Sequence, residues 1–401
     1  MNRAVVFRLE PTAAQRGVLE RYAGAARYVY NCALEQQQTW GRRHPITRFS
    51  QDRELTACRR EIEWLREPPR EILASALADL SAAYEAFFKR RGAYPNFRRK
   101  GHDDRFRYTH GEDIRFERLN RNRGRVRLPK VGWLKLRGYR ELPGDIRGAT
   151  VRQRGQHWYV SILLRQERPA TLDAACDRSI GIDRGVAVFA ATSDGVLHGA
   201  PSHFAKIQKR LGNAQRQLAR RKRGSANYKK TRARIARLHM RAADARKDYL
   251  HKLSTDIAKS HGFVALEDLK IGNMTRSAAG TVEAPGKNVR QKAGLNRSIL
   301  DKGWGMFATF LRYKLEERGG ELIMVEPAYT SQTCAACGVI SRESRKSQSV
   351  FECVACGHAD NADINAARNI IRAGHARRAC GSSQTTGRKQ EPHQEATDVA
   401  A

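Results

Sequence analysis

The densest run of chemically capable residues lies between positions 334 and 370. Two Cys-x-x-Cys knuckles, Cys334-Ala335-Ala336-Cys337 and Cys353-Val354-Ala355-Cys356, are separated by fifteen residues. Four thiolates at that spacing complete a tetrahedral shell around one Zn²⁺ and leave no position for water or substrate, so the expected metal is structural. Seven positions after Cys356, Asp363 opens the amphipathic run Asp363-Ile364-Asn365-Ala366-Ala367-Arg368-Asn369-Ile370. The reactive chemistry is expected beside the metal, on that carboxylate.

Two further acids stand on patterns that would bring them to the same place. Ser179-Ile180-Gly181-Ile182-Asp183-Arg184-Gly185 reads as a strand running into a tight turn, the opening of a ribonuclease-H-like sheet. Its glycines would let a nucleic-acid backbone approach Asp183 closely, although turns contain such pairs routinely. Phe263-Val264-Ala265-Leu266 is a short buried-strand pattern ending at Glu267-Asp268, where a carboxylate serves equally well as a helix cap. Phosphodiester hydrolysis needs an activated water and a stabilised leaving 3′ oxygen. Two Mg²⁺ ions about 3.5–4 Å apart, held by hard carboxylate oxygens, do both. Asp183, Glu267 and Asp363 converging on one point would repel one another without metal, and that repulsion favours binding it.

The chain's charge points to the substrate class. Of 401 residues, 75 are Lys or Arg against 41 acids, a net charge of +34 that repels itself unless a polyanion neutralises it. Nucleic acid is the expected partner, for an enzyme or for a ribosomal-type RNA binder. No long apolar run and no signal-peptide pattern occurs, so a soluble intracellular protein is expected. Cys32, Cys58, Cys176 and Cys380 are scattered, which suits a reducing compartment.

The elements that must carry these residues divide the chain. Residues 4–9 alternate as a strand, and Thr12-Ala13-Ala14-Gln15 reads as a capping box that starts a helix. Val18, Leu19, Tyr22, Ala26, Val29 and Ala33 make its apolar stripe. A second helix over 71–90 carries Leu73, Leu77, Leu80, Tyr84, Phe87 and Phe88, both stripes reading as core. The basic ends 89–91 and 98–100 would be free to meet phosphate. From 106 to 167 the period falls to two, with a hairpin turning at Gly155. This predicts a small antiparallel barrel whose first strand is 4–9, its cationic face either a nucleic-acid surface or a solvated exterior.

Residues 206–247 hold sixteen cations and one acid, Asp244, and read as two helices joined at 224–227. Lys209, Arg210, Arg220, Arg221, Lys222, Arg223, Lys229, Lys230 and Arg234 are the expected nucleic-acid contacts. Residues 277–294 read as a mobile loop, 303–318 as a helix stopped by Gly319-Gly320, and 322–325 as a strand. Strands alternating with helices give an α/β sheet, and the polar tail beyond 379 reads as disordered.

Taken together the motifs closely resemble the TnpB (OrfB) family of transposon-encoded RNA-guided nucleases, relatives of the type V CRISPR effectors. The resemblance covers nearly the whole chain and rests on Gly181-Ile182-Asp183-Arg184-Gly185, Glu267-Asp268-Leu269-Lys270 with Asn273-Met274, Thr330-Ser331-Gln332-Thr333-Cys334-Ala335-Ala336-Cys337-Gly338 and Asp363-Ile364-Asn365-Ala366-Ala367. It implies a multidomain α+β protein. A wedge-type β-barrel would occupy 1–10 and 93–167, with a helical recognition insertion over 11–92. A RuvC-like α/β nuclease domain would occupy 178–327 and 361–379, with a zinc ribbon at 328–360 and a disordered tail at 380–401. The family's catalytic acids carry over onto Asp183, Glu267 and Asp363, and its zinc ligands onto Cys334, Cys337, Cys353 and Cys356.

The resemblance further implies a guide RNA derived from the transposon end, a double-stranded DNA target beside a short adjacent motif, two Mg²⁺ and one Zn²⁺. A monomer is expected rather than a dimer, with no membrane partner. Where many members carry Asp-Arg-Asp this chain has Asn361-Ala362-Asp363, so it retains the last acid and differs at its two neighbours. A nuclease-silent RNA-guided repressor and a transposase are the competing functions.

Overall fold

A computed structural model describes residues 2–41, 43–102, 104–165, 178–199, 201–281 and 283–385, with side chains to 380. They fall into two units, within Met1–Glu167 and Arg168–Ala401.

In the first unit, strand β1 (Asn2–Glu10) is followed by helices α1 (Ala13–Trp40), α2 (Arg48–Glu61) and α3 (Arg70–Phe88). Strands β2 (Arg105–Tyr108), β3 (Arg115–Asn120), β4 (Arg123–Leu128), β5 (Gly132–Arg137), β6 (Asp145–Arg154) and β7 (His157–Arg165) complete it. The strands make one antiparallel sheet in the order β2-β6-β7-β1-β5-β4-β3, with β1 between β7 and β5. Period-two patterning selects the faces. Val5, Phe7, Leu9, Val126, Leu128, Leu134 and Leu136 are buried, while Arg127, Lys135 and Arg137 point outward.

The buried face joins the helices in one apolar cluster. The α1 capping box forms: Gln15 N donates to Thr12 Oγ1 at 3.3 Å and Thr12 N to Gln15 Oε1 at 3.1 Å. The Gln15 amide nitrogen also donates to Trp133 O at 2.9 Å, tying the helix start to β5.

Three expectations for this unit are corrected. Helix α2 was not expected, because its sequence is so polar that it buries only Gln51 and Leu55. Its own capping box, Thr47 with Ser50, was the available signal. Phe88 lies outside the core, 74% exposed, because it stands at the very end of α3, whose stripe is fully buried only to Leu80 and last meets the core at Tyr84. Arg98 is buried rather than free for phosphate. It donates to Asp79 at 2.8 Å and lies 3.8 Å over the Tyr30 ring.

The second unit opens with strands β8 (Ser179–Asp183), β9 (Val188–Thr192) and β10 (Leu197–Gly199), then helices α4 (Ala205–Ala219) and α5 (Ala226–Ser260). There follow β11 (Phe263–Glu267), the short α6 (Ile271–Met274), α7 (Val289–Lys302), α8 (Trp304–Glu317), β12 (Glu321–Val325), β13 (Val350–Glu352), β14 (Ala359–Asn361) and α9 (Ala362–Thr385). The main sheet runs β10-β9-β8-β11-β12. Strands linked by short turns pair antiparallel (β8, β9, β10). Those joined through helices pair parallel (β8 with β11, β11 with β12), as crossover geometry requires.

Alternating residues serve opposite faces of that sheet. Ile180, Ile182, Val264 and Leu266 pack with Leu250, Ile257, Phe307, Leu311 and Leu315 from α5 and α8. On the other face Ala265 and Val325 meet Ile370 of α9. A Cβ at Gly181 would lie 2.2 Å from Ala367 O and 2.7 Å from Ile371 N, so α9 rests directly on the backbone of β8. Glycine at that position is the condition for the contact.

The remaining corrections concern the length of elements. Helix α7 begins at Val289, inside the stretch expected as a mobile loop, and Gly280 bridges to Pro285 before it. Helix α5 continues past 247 to Ser260, burying Leu250, Leu253 and Ile257. Helix α9 continues to Thr385, so the tail expected from 380 is helical at its start. Residues 166–177, Cys176 among them, and the tail from 386 lie outside the described residues.

Replacing Gly181 by alanine should force α9 away from β8. Because the clashing atoms are backbone, the expected cost is about 1–3 kcal/mol, read as a lower urea midpoint for the full-length protein.

Candidate active site and metal centre

Asp183 ends β8 and Glu267 ends β11, the neighbouring parallel strand. Leu266 pairs with Ile182, so the two acids follow one step on, at the carboxyl ends of adjacent strands. Asp363 stands in the first turn of α9. The Asn361 side chain starts that turn: its Oδ1 accepts from Asp363 N at 3.0 Å and from Ile364 N at 3.3 Å. Because α9 rests on Gly181, two residues before Asp183, the helix start and the strand ends share one neighbourhood.

The electrostatics register this convergence. Asp183 is pushed up to about 7, first by burial and then by the charges of Glu267 and Asp363. Burial also raises Glu267, against the Thr330 hydrogen bond and Arg184. Asp363 is raised by burial and held down by Arg345. Thr330 Oγ1 donates to Glu267 Oε1 at 2.5 Å, fixing the side chain.

The buried Arg184 offsets the local negative charge. Its guanidinium donates to Glu267 O and to Trp304 O, and burial depresses it to about 10 against the pull of Glu267 and Asp183. Arg345 Nη2 lies 3.6 Å from Asp363 Oδ1. The helix-cap alternative for Glu267-Asp268 is not met, since α6 has no side-chain cap and Asp268 pairs with Lys270.

The four cysteines form the second cluster. Their sulfurs all lie within 4.8 Å of one another, with Cys334 to Cys356 at 3.7 Å and Cys337 to Cys353 at 3.6 Å. Thiolates on a tetrahedral ion at about 2.3 Å stand ~3.8 Å apart, so the set fits a four-coordinate metal. Two asparagines one turn apart on α9 fasten this ribbon. Asn365 Nδ2 donates to Thr333 O at 2.8 Å while its Oδ1 accepts from Ala335 N at 2.8 Å. Asn369 Nδ2 donates to Thr330 O and Thr333 O at 3.0 and 2.6 Å. Sequence reading missed Thr330, Arg184, Arg345 and the two asparagines as site-builders. The pair of asparagines on the helix face expected to be buried was the signal for the last two.

Of the expected cationic contacts, Lys209, Arg210, Arg220, Lys222, Arg223, Lys229, Lys230 and Arg234 are exposed on α4, α5 and their link. Arg221 differs: it donates to Asn227 O at 2.6 Å and to Thr231 Oγ1, bracing the turn between the helices. Among the described residues no helix is long and apolar enough to cross a membrane.

Comparison with known proteins gives three family matches: "Cas12f1-like, TNB domain" over residues 304–370, "Probable transposase" over 161–278 and "Helix-turn-helix domain" over 1–44. Within 1–44 the described residues form a strand and one unbroken helix. An Escherichia coli K12 protein named putative RNA-guided DNA endonuclease InsQ is 42% identical over 97% of both chains. A putative RNA-guided DNA endonuclease of Streptomyces pristinaespiralis is 33% identical over 98% of this chain and 96% of its own. Among solved structures, a Cas12f1–sgRNA–target DNA complex aligns with TM-score 0.56 at 13% identity, covering 92% of this chain and 98% of that one.

The raised Asp183 predicts a pH dependence. The folded protein keeps this proton to about pH 7, whereas the unfolded chain releases it near pH 4. Between those values the native state binds more protons, so this group's contribution to stability falls as pH rises. In EDTA, urea unfolding at about pH 5 and about pH 7.5 should show wild type losing more stability than Asp183→Asn. Equal losses would mean that Asp183 does not carry the proton.

Proposed function

We propose, since this chain belongs to the TnpB (OrfB) family, that it is an RNA-guided DNA endonuclease encoded by a transposon. It cuts double-stranded DNA beside a short adjacent motif under a guide RNA derived from the transposon end. The observation that carries the reading is the placement of three acids at the ends of two adjacent parallel strands and in the first turn of a helix that rests on the first of those strands. They would hold two Mg²⁺, which when bound supply an activated water and neutralise charge at the leaving 3′ oxygen.

The chain's own residues do the positioning. Thr330 fixes the Glu267 carboxylate, Arg184 offsets its charge from within the core, and Asn361 orients the turn that carries Asp363. The exposed cations of α4 and α5 attract phosphate backbone, and guide pairing rather than side-chain readout selects the sequence.

The same reading takes the first unit's sheet as the wedge-type barrel and α1–α3 as the recognition insertion. The second unit's main sheet is then the RuvC-like domain. The four cysteines hold a structural Zn²⁺, the protein works as a monomer, and its place is the bacterial cytosol. A transposase would use the same acids to join strands, and the match described as a probable transposase keeps that reading in the test.

Asp183→Ala should reduce cleavage of guide-matched DNA to background with guide binding and melting temperature intact, while wild type yields cut ends and no strand-transfer products. Full cleavage by the variant would refute the assignment. Cys353→Ser should lose the bound zinc in elemental analysis and loosen the ribbon, because metal binding drives folding of such small sites. Unchanged zinc content would refute the four-cysteine centre.

A further inference from the structure

A cavity of about 1000 Å³ in the first unit lies between the end of α1, the start of α2 and the end of α3. The site chemistry above does not use it. Among its mixed polar and apolar lining are five aromatic residues, Trp40, Tyr84, Phe87, Phe88 and Tyr94. Tyr84 and Phe88 are stacked with centroids 6.1 Å apart at 21°, and Tyr94 meets Tyr84 and Phe87 edge-on at 5.6 and 5.2 Å. The rings thus brace one another into a platform, yet Phe88 is 74% exposed and Trp40 50%. Arg43 and Arg48 also line the cleft, and among its described lining residues none is acidic. Arg90 and Arg91, exposed, follow directly on α3.

We propose that this cleft binds unpaired nucleotides of the guide RNA, their bases stacked on the exposed aromatic faces and their phosphates near the arginines. The inference rests on the guide-RNA reading and adds a site to it. Stacking needs a free base face, which an unpaired nucleotide offers and a paired duplex withholds. The arginines in the lining, with no acid among its described residues, complement a polyanion. Exposed rings of this extent also need a lasting cover. On the guide-RNA reading the guide is the protein's resident polyanion, so the guide rather than DNA is the occupant.

The test uses full-length protein freed of nucleic acid at high salt, with fluorescein-labelled oligouridylate, a duplex RNA and oligothymidylate as probes. Trp40→Ala/Phe88→Ala should weaken oligouridylate binding about tenfold or more, with melting temperature and salt dependence unchanged because no charge is lost. Duplex RNA binding should barely change. If the double variant folds poorly, Phe88→Ala alone should weaken binding and Phe88→Trp should restore it. Equal affinity in variant and wild type overturns this inference and leaves the guide reading standing. So does an equal loss on duplex RNA, or a loss confined to oligothymidylate. Failure of wild type to bind any RNA overturns both.

Discussion

The direct contact of α9 with the backbone of β8 is the constraint on which the second unit depends. A helix packed on a sheet is ordinarily held off by the side chains between them. Here Gly181 removes that layer, and Gly374 on the helix does the same toward Ala265, where a Cβ would lie 2.7 Å away. The consequence is positional. With α9 seated on β8, its first turn lies beside the end of the same strand, and two carboxylates 180 positions apart in the chain come into each other's field.

That closeness is electrostatically costly, and the surrounding residues offset it. Burial and mutual repulsion push Asp183 toward its neutral form, while Arg184 and Arg345 supply positive charge from inside the core and from the ribbon. Removing either cation would leave buried like charges without compensation. The proposed nuclease would use that balance to take up divalent cations.

The ribbon is tied to the same helix. Asn365 and Asn369 satisfy backbone groups of residues 330–335, and the loop they hold includes Thr330, the hydroxyl on Glu267. The cysteine cluster and the three acids thus share one scaffold, helix α9 and the loop fastened to it.

Much of this was legible in the sequence because it depends on local rules. The Cys-x-x-Cys spacing, the period-two strands, the Thr12 capping box and the glycine-flanked Asp183 each state their structure within a few residues. The charge excess likewise states its partner class. Phe88, α2 and Arg98 were misread or missed because their fates depend on what packs against them, which the local pattern does not contain. Arg221 and Thr330 were opaque for the same reason, since each acts through a partner reached only after folding. Residue order settles which side chains are available, the α/β character of the second unit and the spacing of the four cysteines. Folding settles that α9 lies on Gly181, that Thr330 meets Glu267 and that a cleft with exposed rings opens beside α3. Packing across long chain separations is a property of surfaces that exist only once the elements have formed.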